Sequence, residues 1–303
     1  MKKSNYTITN WSDYNKALKN RGRINFWISD DAISNWICGT DTRNYYSDAS
    51  IELCLTLMSV YHLNLRSVQG FIESVFELSG INLEVPDFST ICRRRKTIKC
   101  VLGSFKTSGE VHVAIDSTGI KIYGEGEWKV RMHGISKRRT WRKLHIGVNE
   151  SNGEILSAKV TTASIADGDM LVEIISDIDV DIKQVSADKG YDKRKCYEVL
   201  SGKGIKATID IMENAVFWAD NGIGHQRNEN LYYIKLYDKE TWKLCDNYHR
   251  RSISENVFFR FKTIFGDNVT SRLLESQTND IIIRCKILNK MFQDCKPISV
   301  KIN

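Results

Sequence analysis

Over the first hundred residues the apolar positions recur at helical spacing. Ile51, Leu55, Met58 and His62 fall on one side of a segment from Ala49 to His62, and similar stripes run from Leu65 to Leu78 and from Phe88 to Cys100. Three helices are predicted, the last one starting beside Pro86-Asp87. Between Gly103 and Gly109 the period changes. Val111, Val113 and Ile115 then alternate with His112 and Ala114, a β-pattern that runs into Asp116 and reads as ending in the turn Ser117-Thr118-Gly119. Strands are predicted over Thr140 to Val148 and Glu154 to Thr161, joined at Asn152-Gly153, a strong hairpin turn. A helix follows from Asp169 to Ser176, then a strand from Ile182 to Ala187 that ends in Asp188. A helix from Lys193 to Leu200, a strand from Ile205 to Ile209 and a late helix complete the order. The fold class is therefore α/β, with a helical N-terminal region over 1–108 and a meander followed by alternating helices and strands over 109–303.

The late helix carries a second pattern. Tyr248, Arg251, Glu255 and Lys262 stand at the spacing Y-x2-R-x3-E-x6-K, and at about 100° per residue they fall within roughly 60° of one another. Val257, Phe261, Ile264 and Phe265 project from another side, so the polar stripe reads as a site and the apolar one as its anchor. Two strand-end aspartates, Asp116 and Asp188, and the helix-borne Glu255 together form a candidate divalent-metal site. Each residue also has a plain reading. Asp before Ser-Thr-Gly or Lys-Gly-Tyr-Asp is a common turn former, and Arg251 and Glu255 at i,i+4 form an ordinary helix-surface ion pair.

Charge narrows the classes of partner. The 303 residues hold 44 Lys+Arg against 37 Asp+Glu, a net charge of +7 that matters through where it sits. Between Lys121 and Lys143 the bases Lys129, Arg131, Lys137, Arg138, Arg139 and Arg142 face only Glu125 and Glu127, and Trp128 and Trp141 are interleaved with them. Bases mixed with aromatics suit phosphate contacts and base stacking on DNA; a solvated basic hairpin is the plain alternative. Arg93, Arg94, Arg95, Lys96 and Lys99 give the third predicted helix a basic character, which reads either as a helix-turn-helix-like reader of DNA ends or as the solvated face of a packing region. The eight cysteines never form a CxxC pair, which argues against zinc ligation and a disulfide framework. The longest apolar-rich stretch, Ile51 to Leu63, contains Glu52 and is too short to span a bilayer; with no leader-like apolar run after Met1, a reducing cytoplasm is expected and a membrane partner is not. No phosphate-cradling glycine loop implies a nucleotide cofactor.

Several ordered blocks carry a family resemblance: Ala114-Ile115-Asp116-Ser117-Thr118-Gly119, then Gly126 to Gly134, Arg138 to His145, Ala187-Asp188-Lys189-Gly190-Tyr191-Asp192, and Tyr248 to Glu255. Through them the chain resembles the bacterial insertion-sequence DDE transposases, in the group named after insertion sequence five, over about residues 110 to 270 and more loosely beyond. The resemblance implies a ribonuclease H-like catalytic domain over 109–303, with Asp116, Asp188 and Glu255 as catalytic residues and as ligands of two Mg²⁺ or Mn²⁺ ions. It implies cut-and-paste transposition, in which water attacks DNA at the element's ends and the freed 3′-hydroxyl attacks a target strand. Two divalent ions suit that chemistry because they bind the attacking and leaving oxygens at once, and hard cations take oxygen ligands. Arg251 and Lys262 are then expected on phosphates and Tyr248 beside the same strand, with Trp128, Arg138, Arg139, Trp141, Arg142 and Lys143 as further DNA contacts. Residues 1–108, through Arg93, Arg94, Arg95 and Lys96, become the module for terminal inverted repeats, and a homodimer or higher multimer the working assembly. One stretch departs from the family pattern. Where relatives carry Pro-Arg after the last strand, Asp210-Ile211-Met212-Glu213 stands here. That departure keeps open a transposase-derived DNA-binding protein with weak or lost catalysis, and a stand-alone metal-dependent nuclease is a third reading.

Overall fold

The computed structural model describes residues 6–39, 45–103, 109–122, 141–219 and 225–302. In chain order the first elements are strand β1 (Tyr6–Ile8) and helices α1 (Trp11–Arg21), α2 (Ile24–Trp27), α3 (Asp30–Ser34), α4 (Asp48–Val60), α5 (Leu65–Ser79) and α6 (Phe88–Arg94). Strands β2 (Val111–Ile122), β3 (Trp141–Asn149) and β4 (Ile155–Thr162) follow, then helix α7 (Asp167–Ser176), β5 (Ile182–Ala187), α8 (Arg194–Gly202) and β6 (Lys206–Ile209). Helices α9 (His225–Leu236), α10 (Lys239–Cys245) and α11 (Ser252–Phe265), strand β7 (Asn268–Val269), helix α12 (Leu274–Asp294) and strand β8 (Ser299–Lys301) complete the described chain.

These elements form two units, one of Met1–Val101 with Leu273–Asn303, the other of Leu102–Arg272. The first is helical. Ser47 caps α4 by accepting the Ser50 amide at 3.1 Å, and Asp87 caps α6 by accepting the Ser89 amide at 2.8 Å. The stripe Val68, Ile72, Phe76 turns α5 inward. Residues 273–303, expected with the α/β region, belong to this helical unit instead. Buried side chains run along α12 from Ile281 to Phe292 and it packs on α4, while β8 pairs antiparallel with β1. A helix so widely buried needs cover, which α4 helps to supply.

The second unit is built on one mixed sheet in the order β4-β3-β2-β5-β6, with β7 pairing the far end of β2. β2, β3 and β4 form an antiparallel meander, and β5 and β6 run parallel to β2. Val111, Val113 and Ile115 of β2 pack with Val185, Ala187, Leu171 and Ile174 into one core under α7 and α8. Each such side chain, fully buried, contributes about 1.5–3 kcal/mol. Gly147 lets α7 approach β3 closely, since a methyl group there would stand 2.8 Å from Ile174 Cγ2. The predicted Asn152-Gly153 hairpin joins β3 to β4, with Gly153 at φ +73.

β2 does not stop at Asp116. It continues through Ser117, Thr118 and Gly119 to Ile122, held by β3 as far as the Lys121–Trp141 pair. The sequence cue for a turn failed because the long antiparallel partner supplies hydrogen bonds throughout, and Gly119 makes room for the Trp141 ring, which a methyl group would meet at 3.1 Å. On the other side of β2, β5 ends with Ala187 opposite Ile115. Asp116 therefore stands mid-strand at the point where its parallel neighbour ends, and Asp188 follows directly on that neighbour.

Candidate active site

Three elements meet around Asp116. Its Oδ1 accepts the Ser117 amide at 2.8 Å, and its Oδ2 accepts Arg251 Nη1 at 2.8 Å and Ser254 Oγ at 3.0 Å. Arg251 Nη2 donates onward to Glu255 Oε1 at 2.6 Å, so one guanidinium bridges two of the three expected carboxylates. Asp188 stands after β5, its Oδ1 accepting the Gly190 amide at 2.8 Å in a single 3₁₀ turn, Lys189–Tyr191. Burial raises the Asp116 pKa above the ordinary aspartate value; the Ser117 amide, Arg251 and Ser254 pull it back, and the charge of Asp188 adds to the rise. The carboxylate is thus short of positive charge even with Arg251 in place.

Arg251 and Glu255 are placed by a change of helix type. Asn247 adopts a left-handed conformation, Tyr248–Arg251 form a 3₁₀ turn, and α11 then begins at Ser252. Val257, Phe258, Phe261 and Phe265 of α11 are buried, and the helix packs against β2 and β3. Lys262, two turns after Glu255, donates to Thr118 Oγ1 at 2.7 Å, on the same strand as Asp116. Arg251 and Lys262 thus both reach β2, and Glu255 is joined to Asp116 through Arg251. Tyr248 differs: it is buried, its ring 5.5 Å from that of Trp242, and burial raises its pKa, so it supports the turn from within.

The remaining predicted residues divide. Trp128, Arg138 and Arg139 lie outside the described residues. Trp141 is half-buried with Lys121 Nζ 5.8 Å from its ring centre, and Lys143 donates to Asp167 Oδ1 at 3.1 Å and to the Ile165 carbonyl at 3.0 Å; Arg142 is half-buried on the same strand. In the helical unit, Arg93 and Lys96 are exposed, but Arg94 and Arg95 are not available to DNA. Arg94 is buried against the Tyr46 carbonyl at 2.7 Å and Asp48, and Arg95 forms a forked, buried pair with Asp280 of α12. A buried guanidinium stays paired, since separation strands a charge in a dry interior. The unusual Asp210 directly follows β6, its amide donating to the Ala187 carbonyl at 3.1 Å, and Lys239 pairs with its carboxylate at 2.6 Å.

Ser254, Thr118 and Asp167 were not singled out from the sequence. Ser254 adjoins Glu255 in the motif and is fully buried, a position where a serine hydroxyl needs a partner. Among the described residues no three His, Cys, Asp or Glu side chains gather into a ready ion site. A cation does lie between two of them, and it is Arg251. Carboxylate oxygens are the ligands a hard divalent ion takes, and the Arg251 guanidinium stands between those of Asp116 and Glu255.

Residues 107–290 match a family model described as a transposase DDE domain, and residues 19–125 match a second model of the same description. The first match spans more than half of the chain, and the chain belongs to the DDE transposase family, enzymes that cut DNA strands and transfer them. Among solved structures it is similar to a piggyBac transposase synaptic complex with hairpin DNA, at 10% identity and a TM-score of 0.39, over 96% of this chain and 77% of that one. So distant a likeness assigns no residue. No described helix is long and apolar enough to cross a membrane.

Proposed function

We propose that the protein carries out cut-and-paste transposition of an insertion sequence of the group named after insertion sequence five, with Asp116, Asp188 and Glu255 as its catalytic carboxylates. The observation that carries this reading is the single guanidinium shared by Asp116 and Glu255 beside the Asp188 turn. The sheet order, with one carboxylate on the central strand, one after its parallel neighbour and one on a late helix, supports a ribonuclease H-like catalytic domain. Asp116, Asp188 and Glu255 would hold Mg²⁺ or Mn²⁺, which would supply stabilisation of the attacking and leaving oxygens in phosphodiester cleavage and transfer. The residues of the chain do the rest. Ser117 and Ser254 fix the orientation of Asp116, and the buried helix face holds Glu255 near it. Arg251, once released from the carboxylates, has a fork matched to a phosphate, and Lys262 offers a point charge one strand residue pair away, at Thr118.

The partners proposed are double-stranded DNA, as terminal inverted repeats and as target, and further copies of the chain in a synaptic multimer acting in the cytoplasm. The helical unit is proposed as the end-binding module, through exposed Arg93 and Lys96 rather than Arg94 and Arg95. The acidic Asp210 beside Asp188 favours one competing reading, a DNA-binding protein of transposase descent with weak catalysis. Asp116→Ala, Asp188→Ala and Glu255→Ala each abolish metal-dependent strand cleavage under the proposal while DNA binding remains. Cleavage preserved in any one variant removes that residue from the site; no cleavage by the unaltered protein with either metal favours the competing reading.

A further inference from the structure

Helix α7 begins at Asp167, on the opposite side of β2 from Arg251 and Ser254. The Asp167 Oδ1 accepts Ser117 Oγ at 2.8 Å and Lys143 Nζ at 3.1 Å. His145 Nδ1 stands 3.6 Å from the same oxygen, and the ring is fully buried with Nε2 2.9 Å from Thr161 Oγ1. Ser117 is the residue after Asp116, and its amide already holds Asp116 Oδ1. Asp167 thus grips β2 one residue from the carboxylate.

The other oxygen of Asp167 faces the Asp188 turn. A methyl group at Gly190 would stand 3.0 Å from Asp188 Oδ1 and 3.9 Å from Asp167 Oδ2, so the two carboxylates flank that glycine. Tyr191, the next residue, is 1% exposed, and its hydroxyl has no hydrogen-bond partner among the described residues. That hydroxyl lies in the combined field of Asp167, Asp116 and Asp188. Gly168 is pressed against α8, where a methyl group would meet Lys193 Cδ at 2.9 Å, and its carbonyl accepts Cys196 Sγ at 3.4 Å.

We propose that Asp167 is a positioning residue of the carboxylate site: it holds Asp116 through Ser117 and borders the Asp188 turn at Gly190, so that α7 sets the spacing of the two aspartates. This rests on the catalytic reading above. Side chains that orient metal ligands from outside change metal affinity by about 10- to 100-fold when removed. Titration calorimetry of the full chain with Mn²⁺ is therefore expected to show binding weakened about tenfold or more in Asp167→Ala, and less in Asp167→Asn, which keeps an acceptor for Ser117. Ser117→Ala removes the same link without touching the charge and is expected to weaken binding too, which keeps the test open where Asp167→Ala does not fold. Crystal structures of the metal-free wild type and Asp167→Asn supply a readout independent of metal: the Asp116–Asp188 separation changes by more than about 0.5 Å if Asp167 sets it. A lower melting temperature with unaltered Mn²⁺ affinity and unaltered separation overturns the proposal and leaves Asp167 a purely structural residue. A wild type that binds no Mn²⁺ overturns the catalytic reading instead, and the separation then decides for or against Asp167.

Discussion

Arg251 occupies the position that a divalent ion is proposed to take, and its replacement separates two effects. Without the guanidinium, Asp116 is left buried beside Asp188 with only Ser117 and Ser254 as donors. Arg251→Gln is expected to lower metal-free stability by about 1–3 kcal/mol, because a charged acceptor loses its main partner. The same variant should gain more stability from Mn²⁺ than the wild type does, since a competing cation has gone. Urea unfolding with and without Mn²⁺ checks both; equal metal stabilisation in the two proteins shows that Arg251 does not compete. His145 gives a pH prediction. Burial pushes its pKa down to about 4 from 6.5, so the unfolded chain binds a proton there that the folded chain refuses. Stability from this group is present above pH 6.5 and is lost as pH falls toward 4, by roughly 3 kcal/mol in all. The difference between wild type and His145→Gln, followed by denaturant titration across that range, should shrink by this amount on acidification; a constant difference contradicts it.

The elements show where side-chain pattern speaks and where it does not. In α6 and its extension, Ile91, Arg94, Arg95 and Ile98 are all buried and fall at i, i+3, i+4, i+7, one helical face. Reading Arg94 and Arg95 by charge alone placed them outside; reading them by position would have placed them inside. Arg95→Ala should therefore cost about 3–5 kcal/mol of stability, by removing the forked partner of buried Asp280. Arg93→Ala with Lys96→Ala should leave stability nearly unchanged and weaken DNA binding, lowering the salt slope by about 1 per residue. Chemical unfolding and binding titrations at several salt concentrations tell these apart; an Arg95 variant that folds normally but fails to bind DNA contradicts the buried assignment. The meander, the Asn152-Gly153 hairpin and the β5 strand were legible because each follows a local period or turn chemistry. The continuation of β2 past Asp116 was not, since it depends on β3, a partner distant in sequence. Asp167 was also hidden. Its partners Ser117, Lys143 and His145 converge only when β2 and β3 pair, and nothing near it in the chain announces them.

At the level of the molecule, the chain departs from and returns to its helical unit. β1 pairs with β8, Asn10 Nδ2 donates to the Lys296 carbonyl at 2.8 Å, and Asn279 Nδ2 donates to the carbonyls of Arg95 and Ile98. Contacts of this kind join positions 181 or more residues apart, beyond the reach of any local pattern. Deleting residues 273–303 should thus unfold the helical unit rather than trim the catalytic one, visible as loss of helical circular dichroism well beyond that of the deleted segment. A truncated chain that keeps the rest of its helices contradicts this. The three proposed catalytic carboxylates, in contrast, all lie within the single stretch Leu102–Arg272, which is why their order in the sequence already resembles a site. Metal-dependent DNA chemistry at those carboxylates is tested most directly by incubating a labelled duplex that carries the element's terminal repeat with Mg²⁺ or Mn²⁺, using the wild type and Glu255→Ala side by side. Cleavage and joining by the wild type that needs the metal, with binding but no cleavage by Glu255→Ala, is the predicted result. Equal cleavage by both proteins, or binding without cleavage by the wild type under either metal, would contradict it.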